Sequence, residues 1–193
     1  MKILLIFFEV AVAGFIIIQL FAISTQRNIE TYPYVVTKKY DKFEIRRYEA
    51  SLFTSVQLSS NKYKDASSKG FSILAGYIFG GNENNEMIAM TSPVAMSLND
   101  SMTMMFIVPK KFKKETLPQP NRSEVKFIEE PAKTVAAISF GGWANDEKIE
   151  YYKQKLIAKL DAQGITCSNQ FYFLGYNPPF EFFNRKNEII VEL

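Results

Sequence analysis

Apolar and polar positions alternate along much of this chain, and the places where the period changes mark its elements. Residues 34–40 and 43–48, rich in Val, Ile, Phe and Tyr, read as two strands about a turn at Asp41-Lys42. Residues 51–58 alternate strictly, with Leu52, Thr54, Val56 and Leu58 on one face. The period then lengthens. From 61 to 79, Ala66, Gly70, Ile73, Leu74 and Tyr77 fall on one helical stripe, with Asn61 as the expected N-cap and Gly80-Gly81 as the stop. Phe71, Ala75, Ile78 and Phe79 form a second apolar strip, off the first, which a one-sided surface helix does not need. It suits a broad core or the floor of a pocket.

Beyond a polar loop at 82–86, residues 94–98 and 102–108 read as strands across an Asn99-Asp100 turn. A two-residue turn there predicts Met96 and Met105 on one face and Met102 and Met104 on the other. Residues 109–122 form a basic loop, and 125–129 and 134–140 are two more strands. Asn145 caps a second helix with Ile149, Tyr152, Leu156 and Leu160 on its buried face, ended by Gly164. Residues 171–175 and 188–193 close the chain as strands. The order, strands-helix-strands twice over, predicts an α+β fold made of two copies of one plan, an antiparallel, barrel-like sheet with two helices outside.

The first 23 residues differ from the rest. Residues 3–23 are apolar apart from Glu9, Gly14 and Gln19. As a helix they span about 31 Å, close to a bilayer core. The length favours a transmembrane anchor over a cleavable signal, although Ala22-x-Ser24 offers a small-x-small cleavage site. Residues 24–33 read as a polar linker, and 34–193 as the soluble domain, expected on the extracytoplasmic side.

Composition narrows the chemistry. The chain holds no histidine, which excludes Ser-His and Cys-His nucleophilic pairs, His-bearing zinc sites and haem with an axial histidine. A net charge of +3 without a basic block argues against nucleic-acid binding. The lone Cys167 has no intrachain partner and nothing nearby in sequence to activate it. Glu129-Glu130 reads as a solvated strand end, Trp143 as packed on the sheet, and Arg185 and Glu188 as structural, either paired with each other or capping a hairpin. Six of seven methionines crowd into residues 87–105. Packing between strands and helices is the simplest account of them. Met90 and Met96 are candidates to face a ligand, and Met87-x-x-Met90 with Met102-x-Met104 is a thinner Cu(I) motif, lacking His or Cys.

Several stretches resemble one family, the SOUL haem-binding proteins. They are FEIRRYEASLFTSV (43–56), GFSILAGYIFGGNENNEMIAMTSPVAMSL (70–98), LPQPN (117–121), VAAISFGGWAND (135–146) and LGYNPPFEFFNRKNEIIVEL (174–193). The elements Met90-Thr91-x-Pro93-Val94, Gly175-Tyr176-x-x-Pro179 and Arg185-x-Asn187-Glu188 are specific in combination. The resemblance implies duplicated β-α-β-β units forming a distorted eight-stranded barrel flanked by two long helices. It also implies haem or porphyrin binding, without catalysis, in an apolar cleft beside the first helix. On that basis Lys64, Ser68, Lys69, Phe71, Ala75, Ile78, Phe79, Met90 and Met96 are the expected ligand-binding residues. Ser68 and Gly76 stand where family members carry an arginine and a lysine near the haem propionates. Lys64 and Lys69 are the substitutes at hand. Two other functions share the architecture: a GyrI-like effector-binding or hydrolytic module, which as a hydrolase needs a cleft carboxylate of raised pKa, and an interaction domain that has lost its ligand.

Overall fold

The computed structural model describes residues 29–99, 101–178 and 181–193, together with five helical positions, 7, 9, 12, 14 and 19. The predicted span over 3–23 otherwise lies outside the described residues, as does Asp100 of the predicted turn. Among the described residues no helix is long and apolar enough to cross a membrane.

Among the described residues nine antiparallel strands form one sheet: β1 (Tyr34–Lys39), β2 (Glu44–Tyr48), β3 (Ser51–Gln57), β4 (Val94–Ser97), β5 (Thr103–Ile107), β6 (Val125–Glu130), β7 (Lys133–Gly141), β8 (Phe171–Gly175) and β9 (Lys186–Glu192). Helix α1 (Tyr63–Ile78) follows β3, and α2 (Asp146–Asp161) follows β7. The strand order is β1-β2-β7-β9-β8-β4-β5-β3-β6. Exchanging β2, β3, β4 and β5 for β6, β7, β8 and β9 reverses the order of those eight strands and leaves every neighbour intact. The two β-β-α-β-β units are therefore related by a pseudo-twofold axis between β4 and β8, and β1 is an addition outside the repeat. The expected eight-stranded barrel is instead an open, curled half-barrel of nine strands, edged by β1 and β6.

Period-two alternation divides the strands between two faces. Phe43, Val56, Met96, Met104, Phe106, Ala136, Ile138, Phe173 and Ile189 meet the helices in the main core. Tyr48, Phe53, Ala95, Met105, Ala137, Leu174 and Ile190 form a second cluster on the opposite, inner face. Tyr32 plugs that face, its ring 4.2 Å from Tyr48 and 5.2 Å from Phe53. It is held by backbone pairing of residues 30–32 with Ser92, so ordered pairing begins within the stretch assigned to the linker.

Helix α1 packs Ala66, Gly70, Ile73, Leu74 and Tyr77 inward, on the predicted stripe. Gly70 is required there, because a Cβ would lie 2.9 Å from Leu58 and 3.1 Å from Met104. The N-cap is Lys62, one residue after the expected Asn61, and its side chain makes no capping bond. Asp146 of α2 does the work from across the fold, accepting the Tyr63 and Lys64 amides at 2.6 and 3.2 Å. Asn145 caps α2 as expected, accepting the Lys148 amide at 2.8 Å.

Candidate functional site

The outer face of α1 carries an apolar strip. Lys64, Ser68, Phe71, Ala75 and Phe79 follow one another at three- and four-residue steps, so they share a face. Phe71 and Phe79 stand exposed, Phe79 at 58%, about 12 Å apart along the axis. Between them Ser72 and Gly76 are exposed and small, and a Cβ on Gly76 would meet nothing within 4 Å. The floor is thus flat, with a phenyl ring at each end. Phe71 rests on buried Phe106, ring centres 5.5 Å apart, and Phe79 is bridged to Met87 on the adjoining loop. Lys64 and Lys69 are exposed toward the N-terminal end of the helix.

Ala75 and Ile78 are buried, and only Ala75 borders the exposed floor; Ile78 belongs to the main core. Met96, offered as a pocket residue, is also core, because β4 pairs with β5 through Met96↔Met104. The connection is longer than the predicted two-residue turn. That puts Met96, Met102 and Met104 together under the helices and leaves Met105 on the inner face, a correction to the expected register. Met90 is half-buried against the same core. Met87, 64% exposed opposite Phe79, is the thioether presented to the strip, and sequence reasoning did not select it for that role.

The inner face holds what the sequence concealed. Glu188 accepts two guanidinium hydrogen bonds from Arg46, at 2.8 and 2.9 Å, with further bonds from Tyr176 at 2.6 Å and Ser139 at 2.7 Å. Lys186 lies 3.1 Å away. Burial by itself would raise the Glu188 pKa, but the Arg46 hydrogen bonds and charge, the Tyr176 hydroxyl and Lys186 together hold it at about 2. Burial pushes the Tyr176 hydroxyl well up, and the Glu188 charge adds to it. Glu188 is thus a permanent, fully engaged anion, unlike the raised carboxyl that a hydrolase requires. Its partner is Arg46, 142 positions away, so of the two structural roles considered for Arg185 and Glu188, pairing with each other does not occur.

Arg185 instead bonds the carbonyls of Asn177, Pro178 and Glu181 and lies 3.9 Å from the Trp143 ring. Trp143 is half-exposed and not packed on the sheet. Glu130 of the expected solvated pair is bound to Lys133, which also holds Glu192. Cys167 is partly buried against the main core. Among the described residues no three His, Cys, Asp or Glu side chains converge as a metal site.

The SOUL heme-binding protein family model matches residues 29–192, almost the whole described domain. The chain belongs to this family. "Heme-binding protein 1" of Sus scrofa is 27% identical over 84% of this chain and 92% of its own length. "Heme-binding protein 2" of Homo sapiens is 31% identical over 76% of each chain. Two solved structures share the fold. The EcmrR C-terminal domain superposes with a TM-score of 0.61 at 12% identity, covering 78% of this chain and 96% of its own. A hydrolase from Listeria innocua gives 0.53 at 10%, covering 78% and 90%. At such identities the likeness is one of architecture. For a SOUL protein, the arrangement separates two faces: an open apolar strip on α1 and a closed ionic network inside the sheet.

Proposed function

We propose that this SOUL protein binds haem or a related tetrapyrrole on the outer face of α1, as a carrier or buffer without catalysis. The observation that carries the reading is the exposed pair Phe71 and Phe79 around the small Ser72-Gly76 floor. Two exposed phenyl rings joined by a floor of small residues make a continuous apolar patch, the kind of surface that takes a partner. A planar, apolar macrocycle fits a flat floor between two rings, and its carboxylates suit Lys64 and Lys69, which stand in for the basic groups missing at Ser68 and Gly76. The bound iron supplies a Lewis-acidic, redox-active centre. Met87 is the soft donor near the floor, and no histidine exists to compete. Contact without a strong axial ligand gives ready exchange, which suits transport and storage. The relatives' names, heme-binding proteins 1 and 2, support the same ligand class.

The second part of the proposal is that residues 3–23 anchor the chain in a membrane with its domain extracytoplasmic. The support is their apolar length.

Titration of residues 25–193 with ferric haem tests the ligand. A saturable one-to-one Soret shift is expected. A response no greater than that of an unrelated basic protein would defeat the proposal and leave the fold to an effector-binding or interaction role.

A further inference from the structure

An aromatic cluster sits at the end of the domain, on the loop between β8 and β9 and the turn after β7. Trp143 is 51% exposed, Phe182 51% and Phe183 59%. The Trp143 and Phe182 rings meet edge-to-face at 5.8 Å. The loop is not loosely held. Arg185 ties its three carbonyls and stacks on Trp143, Asn177 accepts the Lys186 amide at 2.6 Å, and Asn187 donates to the Gly142 carbonyl at 2.8 Å. These bonds fix the backbone of the loop that carries the half-exposed rings. Arg185 lies over the Trp143 ring, and the Lys148 ammonium donates to the Gly141 carbonyl at the start of the same turn.

A second observation says what lies beside the cluster. The Phe182 amide donates to the side-chain oxygen of Gln19 at 3.1 Å, and Gln19 is a buried helical position near the end of the apolar run 3–23. Gln19, within that run, therefore meets this loop. A bilayer that held the run would lie beside the loop. Trp and Phe, flanked by Lys and Arg, are the side chains that partition into an interface, with rings at headgroup depth and cations toward anionic lipid.

We infer that Trp143, Phe182 and Phe183 form a lipid-docking surface that seats the domain on the bilayer in which its own N-terminal segment is anchored. The inference rests on the anchored reading. It fixes the domain's orientation, with the loop between β8 and β9 and the turn after β7 held against the membrane.

Trp143 is the chain's sole tryptophan, so its emission reports the contact directly. The full chain is reconstituted into phosphatidylcholine–phosphatidylglycerol vesicles with ordinary or brominated acyl chains. Alkaline extraction of the same vesicles reports the anchor separately. Retained protein with Trp143 quenched several-fold by the brominated lipid is expected. Phe182→Ser/Phe183→Ser, checked for an unchanged melting profile, should stay in the vesicles and recover most of its emission. Retained wild-type protein with equal emission in both lipids would overturn the docking surface while leaving the anchor. If alkali releases the protein, the anchor fails. Quenching on adding brominated vesicles to the released chain then supports the docking surface, and its absence overturns it.

Discussion

Replacing Arg46 with leucine should expose how far the inner face depends on one ion pair. The guanidinium makes both of its Glu188 hydrogen bonds inside the sheet, where neither side chain reaches water. Removing one member of such a pair strands the other, at about 3–5 kcal/mol. Tyr176, Ser139 and Lys186 still reach the carboxylate, which argues for the lower end. The lost Glu44 contact, partly exposed at 3.0 Å, and the stack on Tyr34 at 4.3 Å each add about 0.5–1 kcal/mol or less. A net loss of about 3–4 kcal/mol is expected in urea unfolding of residues 25–193, at unchanged m-value. The pH dependence carries a second signature. Glu188 has a folded pKa below its unfolded one, so its contribution is complete above about pH 4.5 and is lost as pH falls toward 2. That limb is worth about 3 kcal/mol at most. It should flatten in Arg46→Leu, because the carboxyl is no longer held down. Arg46→Leu with Glu188→Gln should recover part of the loss. A cost below about 1 kcal/mol with the acid limb intact would refute the reasoning.

Three further outcomes follow from packing. Gly70→Val should destabilise by about 1–3 kcal/mol in the same unfolding assay, since the added atoms collide with Leu58 and Met104. Met96→Ala should cost about 2–5 kcal/mol and Met87→Ala less than about 0.5 kcal/mol, which separates the packed methionine from the presented one. Tyr32→Phe should change stability by less than about 1 kcal/mol, because the buried hydroxyl finds no hydrogen-bond partner among the described residues; thermal melts of the two forms should nearly coincide.

Local period carried most of the fold. Among the described residues of the domain, nine strands and two α-helices stand where alternation and the 3.6-residue stripe put them, because each element buries one face and the sequence must encode it. What local signals missed depends on partners distant in sequence. The cap of α1 comes from Asp146, some 80 residues on, so local sequence pointed to Asn61 instead. Arg46 sits in an alternating strand where it reads as solvent-facing. It is buried because β9 brings Glu188 opposite the same face, through β7. One residue of extra turn length between β4 and β5 put Met96 on the face of Met102 and Met104 and not on that of Met105. At the candidate site, the second strip on α1 was legible as surplus hydrophobicity. Its split into exposed Phe71 and Phe79 and buried Ile78 was not, because that depends on how far the helix tilts onto the sheet.

Gly76 gives the most direct test of where the ligand lies. Its Cβ direction is open, so Gly76→Lys and Gly76→Glu should both fold normally and gain slightly in helix propensity. A tetrapyrrole lying on the α1 floor brings its carboxylates and apolar ring within reach of that position. Haem affinity is measured by Soret titration of the two variants and the wild type, with melting temperatures recorded in parallel. Tighter binding by Gly76→Lys and at least about tenfold weaker binding by Gly76→Glu than by Gly76→Lys are predicted, as expected for about 1.4 kcal/mol of differential charge interaction. Equal affinities across the three proteins, with normal melts, would contradict the assignment of the site to the outer face of α1.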